Sequence, residues 1–305
     1  MSRKPRADAP RVCGEEKTPS QASRRLFLRA AACALGAAAL AGCKADVWQA
    51  FLQRQLHELS PEEIKKVIAR LQRTYKMKYG MDVKIGTEAP LPGVEFGYAL
   101  DLSRCIGCRR CVYACVAENN QSRKPQIHWI RVLQMDKERG VNVFHSNLYY
   151  DPEQVPEEGH FYMPVQCQQC KNPPCVKVCP VRATWQEPDG ITVVDYNWCI
   201  GCRYCMAACP YGSRSFNWLD PRPHIRQTNT DYPTRTKGVV EKCTFCDERL
   251  ARGQLPACVE ACDTKALVFG DLQDPNSGVR NLLRTNFVLR RKAELGTNPE
   301  IYYIV

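Results

Sequence analysis

Sixteen of the nineteen cysteines stand in four groups of four, and their spacing limits the possible folds more than any other feature. Every group begins with C-x2-C and ends with two cysteines that are four positions apart. The middle gap holds two residues in groups one and three, four in group two and eleven in group four. Groups one to four are, in order, Cys105, Cys108, Cys111, Cys115; Cys167, Cys170, Cys175, Cys179; Cys199, Cys202, Cys205, Cys209; and Cys243, Cys246, Cys258, Cys262.

This spacing favours ligation of iron–sulfur clusters. Three thiolates that are two residues apart can wrap around one cubane, and its fourth iron then needs a ligand from elsewhere. Because the third and fourth cysteines are four positions apart, they face the same side of a short helix. The fourth cysteine can then reach a neighbouring cluster, as it does in two-cluster bacterial ferredoxins. We therefore expect the groups to work in pairs.

Three other uses of cysteine fit the pattern less well. Disulfides do not require a C-x2-C start in all four groups. Structural zinc normally pairs two C-x2-C knuckles across a longer gap, which a compact run of four cysteines does not provide. Covalent haem needs a histidine after C-x-x-C, but the residues at that position are Arg109, Lys171, Arg203 and Asp247.

The distances between groups suggest how they pair. Only 20 positions separate Cys179 from Cys199, and segments 183–186 and 191–194 there flank a Pro-Asp-Gly turn, which predicts a hairpin. Residues 165–218 could then form one complete two-cluster domain, which leaves groups one and four for a second, discontinuous domain. The alternative pairs group one with two and group three with four, across gaps of 52 and 34 positions.

The N-terminus predicts export. Arg24 and Arg25 precede an Ala-rich stretch, which is typical of a twin-arginine signal. Residues 40–43 resemble a bacterial lipoprotein box, so Cys43 is the predicted lipid-bearing residue; plain cleavage or an uncleaved anchor is the alternative. The apolar stretch 30–42 is shorter than the roughly 20 residues of a membrane span. We expect residues 1–43 to be this signal and the protein to face the periplasm on the cytoplasmic membrane.

Residues 44–95 are predicted to form a polar helical connector. Ser60 is a good N-cap, Pro61 suits the first helical position, and Glu63 completes a capping box. Apolar residues then recur at helical spacing until Gly80, which is a plausible stop.

The remaining residues, 96–164 and 219–305, are assigned to the discontinuous outer domain around the inner domain 165–218. The long gap between groups one and two holds a predicted strand pair, 130–135 with 141–150. Aromatic side chains are expected to shield the clusters and fill the core; these are Trp129, Trp185, Trp198 and Trp218.

The net charge of +11 does not indicate nucleic-acid binding. Residues 1–42 hold eight Lys or Arg and only three Asp or Glu. Four cubanes with four thiolates each would add about −8, so the mature holo-protein is close to neutral. No phosphate-binding Gly loop, nucleophile elbow or catalytic metal motif is present, so we expect no small-molecule substrate and no catalytic residues.

The motifs CIGCRRCVYAC, CQQCKNPPCVKVCP, CIGCRYCMAACPYG and KCTFCDERLARGQLPACVEAC resemble a known family. It comprises the four-cluster electron-transfer subunits of the dimethyl sulfoxide, polysulfide and tetrathionate reductase type and of formate-dependent nitrite reductase. The likeness covers residues 98–271. It implies an α+β fold of two ferredoxin-like two-cluster domains, related by pseudo-symmetry, with one nested in the other. The 51 residues between groups one and two, and the connector, depart from the family pattern.

The resemblance also implies the ligands of four 4Fe–4S clusters. Some relatives replace a cysteine of group three and hold a three-iron cluster, whereas Cys202 and Cys205 are both present here. The implied sets are site 1 (Cys105, Cys108, Cys111, Cys262), site 2 (Cys243, Cys246, Cys258, Cys115), site 3 (Cys167, Cys170, Cys175, Cys209) and site 4 (Cys199, Cys202, Cys205, Cys179).

A function follows from this resemblance as an expectation. The chain would relay electrons between a polytopic, quinone-reactive membrane subunit and a catalytic redox subunit of the molybdopterin or multihaem type. Site 1 would lie on the catalytic side and site 4 on the membrane side. Two alternatives are a reductase that acts directly through an exposed cluster, and an interaction module stapled by zinc or disulfides.

Overall fold

The computed structural model describes residues 60–80, 82 and 90–305. The chain divides into two compact units, Met1–Lys66 and Val67–Val305, and residues 60–66 are the described part of the first. The predicted export signal with Arg24, Arg25 and Cys43 lies outside the described residues, as do residues 44–59, 81 and 83–89 of the connector. In the part of the chain that is described, no helix has the length and apolar character needed to cross a bilayer.

Short helices and strands alternate along the second unit, which confirms the α+β class. The helices are α1 (Pro61–Tyr79), α2 (Arg110–Glu118), α3 (Pro174–Lys177), α4 (Tyr204–Ala208), α5 (Asp247–Leu250), α6 (Ala257–Glu260) and α7 (Gly278–Thr285). The strands are β1 (Phe96–Asp101), β2 (Arg131–Asp136), β3 (His160–Val165), β4 (Thr184–Gln186), β5 (Thr192–Val194), β6 (Ser215–Phe216), β7 (Val240–Glu241), β8 (Leu267–Asp271), β9 (Val288–Leu289) and β10 (Ile301–Ile304).

A four-stranded sheet joins the start and the end of the second unit. Its strand order is β8-β1-β10-β9. Strand β1 pairs antiparallel with β8 and parallel with β10, whose Ile301 lies opposite Tyr98. Residues far apart in sequence thus meet in this sheet, with groups two and three between them along the chain. The pseudo-symmetric nesting and the boundaries of the two ferredoxin-like domains stay predictions.

The two faces of strand β1 pack against different structures. Tyr98 lies in the main core, where its ring contacts those of Phe245 and Phe269. Ala99 points to the opposite face and packs with the fully buried Val279 of α7. This alternation is that of a strand buried on both sides. The sheet therefore packs against a cysteine-rich core on one face and against helix α7 on the other.

Helix α1 begins and ends where the sequence predicts. The Glu63 carboxylate accepts hydrogen bonds from the backbone N–H and the hydroxyl of Ser60, both at 2.8 Å. The backbone N–H of Glu63 donates in return to the Ser60 hydroxyl. These bonds form the predicted capping box. Gly80 follows the helix with a φ of +66°, in the left-handed region that favours glycine.

The predicted strand pair between groups one and two is present only as one antiparallel bridge, in which Gln134 and Asn147 exchange backbone hydrogen bonds at 3.0 and 2.9 Å. Strand β2 is present at Arg131–Asp136, but its main partner is β3, with Arg131 opposite Val165. Residues 143–145 form a single 3-10 turn instead of a strand. The side chains of Val143 and Phe144 are exposed there, so no buried face stabilises an extended strand.

The hairpin between groups two and three is confirmed. Strands β4 and β5 pair antiparallel, with Thr184 opposite Val194. The expectation for the tryptophans holds only for Trp129, which is buried. Exposed indole surface remains on the other three: Trp185, Trp198 and Trp218.

Candidate metal centres: four cysteine sites

The cysteine loops of groups one and three turn into their helices in the same way. Arg109 and Arg203, which follow the second cysteine, both adopt left-handed backbone with φ near +60°. The chain then enters α2 or α4, which carries the third cysteine of its group. The bend lets the first three thiols face one point, and the fourth, on the same side of the helix but a turn further on, can reach a different point.

The structure brings together three of the four implied ligand sets around cavities. Each cavity is lined by three cysteines of one group and the fourth cysteine of another. One is lined by Cys105, Cys108, Cys111 and Cys262; one by Cys167, Cys170, Cys175 and Cys209; and one by Cys199, Cys202, Cys205 and Cys179. These are the sets of sites 1, 3 and 4, whose role as ligands stays a prediction.

The thiols of site 2 are buried together in the core. All four side chains are less than a tenth exposed. Burial raises the pKa of the Cys115 thiol well above its ordinary value, and the charges of Cys243, Cys258 and Cys246 raise it further. Cys115, from group one, therefore lies among the three cysteines of group four, as the resemblance implies.

The donor sets fit a cationic iron–sulfur core. All sixteen grouped cysteines are free thiols. Burial raises the pKa of Cys105 to about 12, and the charges of Cys262 and Cys108 contribute to this rise. Burial likewise raises the pKa of Cys170 to about 12, with a contribution from the charge of Cys167. Thiolates crowded in this way are favourable only around bound positive charge.

A single metal ion would need a tighter arrangement. Across 60–80, 82 and 90–305, no three His, Cys, Asp or Glu side chains converge as the ligands of one ion do. The four thiolates of a cubane bind four different irons, so they are spread more widely.

Thiols of neighbouring sites are close enough to raise each other's pKa. Beside burial, the charge of Cys111 of site 1 raises the pKa of Cys258 of site 2. Burial raises the pKa of Cys243 of site 2, and Cys167 of site 3 is the next largest cause. Burial also raises the pKa of Cys205 of site 4, to which Cys175 of site 3 adds. Site 1 therefore interacts with site 2, site 2 with site 3 and site 3 with site 4, and the order 1-2-3-4 of the relay stays a prediction.

Neutral side chains donate hydrogen bonds to the sulfurs of site 2. The Gln121 amide lies 3.1 Å from Cys115 Sγ, and the Asn119 amide lies 3.6 Å from the same atom. The Tyr98 hydroxyl is 3.0 Å from Cys258 Sγ. Such bonds stabilise a thiolate and tune a bound cluster.

A charged donor contacts site 3. Arg214 Nη2 lies 3.1 Å from Cys175 Sγ, and the side chain is buried. The sequence reasoning missed all of these donors, because no local motif marks a residue that reaches a ligand from a distant segment.

A buried ion pair holds the segments around site 2 together. Arg235 and Glu241 are both fully buried and form a salt bridge at 2.5 Å. Trp129 Nε1 and Asn217 Nδ2 also donate to the Glu241 carboxylate. Every charge in this group is hydrogen bonded, as burial requires.

Comparison with known proteins identifies the family to which the chain belongs. A 4Fe-4S dicluster domain family matches residues 159–222 and 228–272, and a second 4Fe-4S dicluster domain family matches residues 104–183. The Hdr-like menaquinol oxidoreductase iron-sulfur subunit 1 of Archaeoglobus fulgidus is 41% identical, over 68% of this chain and 82% of that protein. The chain belongs to this family of iron–sulfur subunits. As a member, it is an electron-transfer subunit that carries four 4Fe–4S clusters, and it is not itself a catalytic subunit.

Other members of the family show the same likeness. A putative dimethyl sulfoxide reductase iron-sulfur subunit of Halobacterium salinarum is 43% identical, over 69% of this chain and 79% of that protein. A selenate reductase subunit of Mesobacillus selenatarsenatis is 35% identical, over 94% of this chain and 99% of that protein. The family membership predicted from the four cysteine motifs is therefore confirmed.

Proposed function

We propose that this subunit relays electrons between a polytopic, quinone-reactive membrane subunit and a catalytic redox subunit of the molybdopterin or multihaem type. The names of two relatives, a menaquinol oxidoreductase subunit and a selenate reductase subunit, support a place between quinone and a terminal reductase. Each cluster, when bound, accepts and releases one electron at a time. The cysteines of the ligand sets hold the clusters in the order 1-2-3-4, with site 1 on the catalytic side.

The apolar surface around site 4 is the observation that carries the proposal. Trp198, Ile200, Tyr204 and Trp218 are all more than half exposed there. Trp198, Ile200 and Tyr204 are next to cysteines of the site 4 loop in sequence, and Ile200 also lines the site 4 cavity. The ring of Trp218 lies 4.8 Å from the guanidinium of Arg203 in the same loop. A cluster of large exposed apolar side chains marks an interaction surface. Contact of this surface with the membrane subunit would bring site 4 close to the quinone.

A second apolar surface lies beside site 1. Phe144 is 99% exposed and Tyr149 is 90% exposed. Their segment is held to the site 1 loop, because the Tyr150 hydroxyl donates to the Gly107 carbonyl at 2.6 Å. Arg109 of the same loop donates to the Leu148 carbonyl. An electron relay with two partners needs a docking surface at each end, and this one suits the catalytic partner.

Two single substitutions test which end of the series faces the quinone in the assembled, membrane-bound complex. Cys202→Ser removes a ligand of site 4 alone, and Cys108→Ser removes a ligand of site 1 alone. With quinol as the electron donor, we expect the Cys108→Ser complex to reduce its remaining clusters and the Cys202→Ser complex to reduce none, as followed by electron paramagnetic resonance. A dye that reaches the catalytic partner directly should support turnover in both. Quinol reduction in Cys202→Ser but not in Cys108→Ser would contradict the proposed order.

A reductase that acts directly through an exposed cluster is the competing function. Four cysteines at each site leave no open iron, which disfavours bond-making there. Substrate turnover by the purified chain without partners would support this alternative over the relay.

A further inference from the structure

Arg214 is a buried cation without a carboxylate partner. It is only 5% exposed, and in the described part of the chain no Asp or Glu lies within ion-pair distance of it. Its Nη2 donates to Cys175 Sγ at 3.1 Å and to Thr184 Oγ1 at 2.9 Å. The same side chain lines the cavities of both site 3 and site 4. Its positive charge therefore lies between these two sites.

Lys242 is a second buried cation of this kind. Its side chain is fully buried, and among residues 60–80, 82 and 90–305 it too has no carboxylate within ion-pair distance. Its Nζ donates to the Cys243 carbonyl at 2.7 Å and to the Thr192 carbonyl. Cys243 belongs to site 2, whereas Thr192 lines the cavity of site 3. This charge therefore lies between sites 2 and 3.

A buried cation normally needs a nearby negative charge, because burial removes it from water. Arg235 meets this need through its ion pair with Glu241. Arg214 and Lys242 have no such partner among the described residues, so the negative charge must come from the sites themselves. A cubane with four thiolates carries about −2.

Among the described residues, site 3 alone borders both of these cations, whereas sites 2 and 4 border one each. The sulfurs of site 2 accept from Gln121, Asn119 and Tyr98, which are neutral. Beside site 1, Arg110 is exposed and forms an ion pair with Asp263. Solvent and an ion-pair partner both weaken the field of such a cation, whereas burial preserves it.

We propose that Arg214 and Lys242 are the buried counter-cations of site 3 and make it the most easily reduced of the four sites. The proposal rests on the ligand sets of the proposed function. Reduction adds one negative charge, so a buried cation stabilises the reduced state more than the oxidised state. An electron that enters the series from either end would then be most stable on site 3, an inner site of the series.

The experiment is a redox titration of the anaerobically purified full chain, followed by electron paramagnetic resonance. In each step one electron from an added chemical reductant enters a cluster, and no covalent bond forms or breaks. Arg214→Met should shift the signals of sites 3 and 4, and Lys242→Met those of sites 2 and 3. The signal that shifts in both variants identifies site 3. It should have the highest potential in the unmodified chain, and each substitution should lower its reduction equilibrium constant about tenfold, or ~59 mV.

Two matched variants separate charge from structure. Arg214→Lys keeps the charge, and Thr184→Val keeps Arg214 but removes its hydroxyl partner. Both should leave the equilibrium constant within about threefold of the original value. If Arg214→Met loses iron, Arg214→Gln supplies a neutral but polar replacement for the same titration.

The outcomes that contradict the proposal are specific. It is overturned if the signal of highest potential is unaffected by both neutral substitutions, or if Thr184→Val shifts it as much as Arg214→Met does. Iron and sulfide far below about sixteen per unmodified chain would instead contradict the ligand sets, and with them the proposed function.

Discussion

Glycine takes the position before the second cysteine in groups one and three, and the space around it explains why. Gly107 and Gly201 both have left-handed backbone, with φ of +80° and +70°. A Cβ at Gly107 would overlap the Tyr162 ring, and one at Gly201 would overlap the carbonyl oxygen of Gly238. The cysteine loops therefore depend on glycine for both backbone conformation and close packing.

Gly201→Ala should destabilise the site 4 loop more than a matched substitution elsewhere. Gly212 is the control, because its φ of +59° is also left-handed but no atom lies within 4 Å of a Cβ there. We expect Gly212→Ala to cost about 1 kcal/mol from backbone strain alone. Gly201→Ala should cost about 3 kcal/mol or more, since the Gly238 backbone must also move. The measurement is the thermal midpoint for loss of cluster absorbance, and equal midpoints would contradict the packing argument.

The helices that carry the cysteines are too short to be stable alone. Helix α2 has nine residues, and α3 and α6 have four each. Isolated helices below about 12 residues are marginal in water. These elements must therefore be held by packing and by whatever binds their thiols, whereas α1, with 19 residues and a capping box, is specified locally.

Ser60→Ala should weaken the start of α1. Its backbone N–H and its hydroxyl donate to Glu63, and these bonds hold the pKa of that carboxyl below its ordinary value. We expect faster amide hydrogen exchange in the first turn of the variant. Glu62→Ala, a substitution in the same turn that leaves the bonds between Ser60 and Glu63 in place, is the control and should have a smaller effect.

The pH dependence of the cap follows from the same bonds. The pKa of Glu63 is lower in the folded state than in the unfolded chain, so ionised Glu63 stabilises the cap at every pH above its ordinary pKa. This contribution is lost only as the pH falls below that ordinary pKa. First-turn protection factors should therefore be equal at about pH 7 and about pH 5. A marked decrease over that interval would show that Glu63 does not carry the cap.

At the scale of the whole molecule, the four sites and the polypeptide stabilise each other. The sheet with β1, β8 and β10 closes one face of the core, and six of the eight cysteines of sites 1 and 2 lie in that core or pack against it. Removing the clusters would leave cavities where close packing is needed.

Anaerobic removal of iron by a chelator should therefore unfold much of the second unit. We expect loss of near-ultraviolet circular dichroism and rapid proteolysis within residues 96–272, since metal binding energy is also folding energy. The same chelator, saturated with iron before it is added, is the control and should leave the digestion pattern unchanged. A cluster-free chain with the original pattern would show that packing alone maintains the fold.

The export hypothesis concerns the whole chain and is tested by its location. Arg24→Lys with Arg25→Lys should leave folded, cluster-bearing protein in the cytoplasm, because the pair is a receptor-read address. Arg29→Lys, the same change nearby in the signal, should export normally. Efficient export of the double variant would contradict the signal, and mass spectrometry of the mature N-terminus would test lipid at Cys43 independently.

The sequence by itself determined the cofactor chemistry, the family and several local elements. Ligand spacing such as C-x2-C is local, so the motifs of the four groups are readable without a structure. The same is true of the Ser60 capping box and of the β4–β5 hairpin, whose contacts join residues within about ten positions.

Only the tertiary structure decided which distant side chains surround the sites. Tyr98 reaches Cys258 across 160 positions, and Arg214 reaches Cys175 across 39. The main partner of β2 was likewise missed: the segment predicted to pair with it contributes one bridge, Gln134 with Asn147, whereas β3, 24 residues further on, pairs along the whole strand. Such contacts depend on how the chain closes on itself, which local periodicity and spacing do not encode. The fold thus places the buried charges that we expect to set the order in which the four sites are reduced.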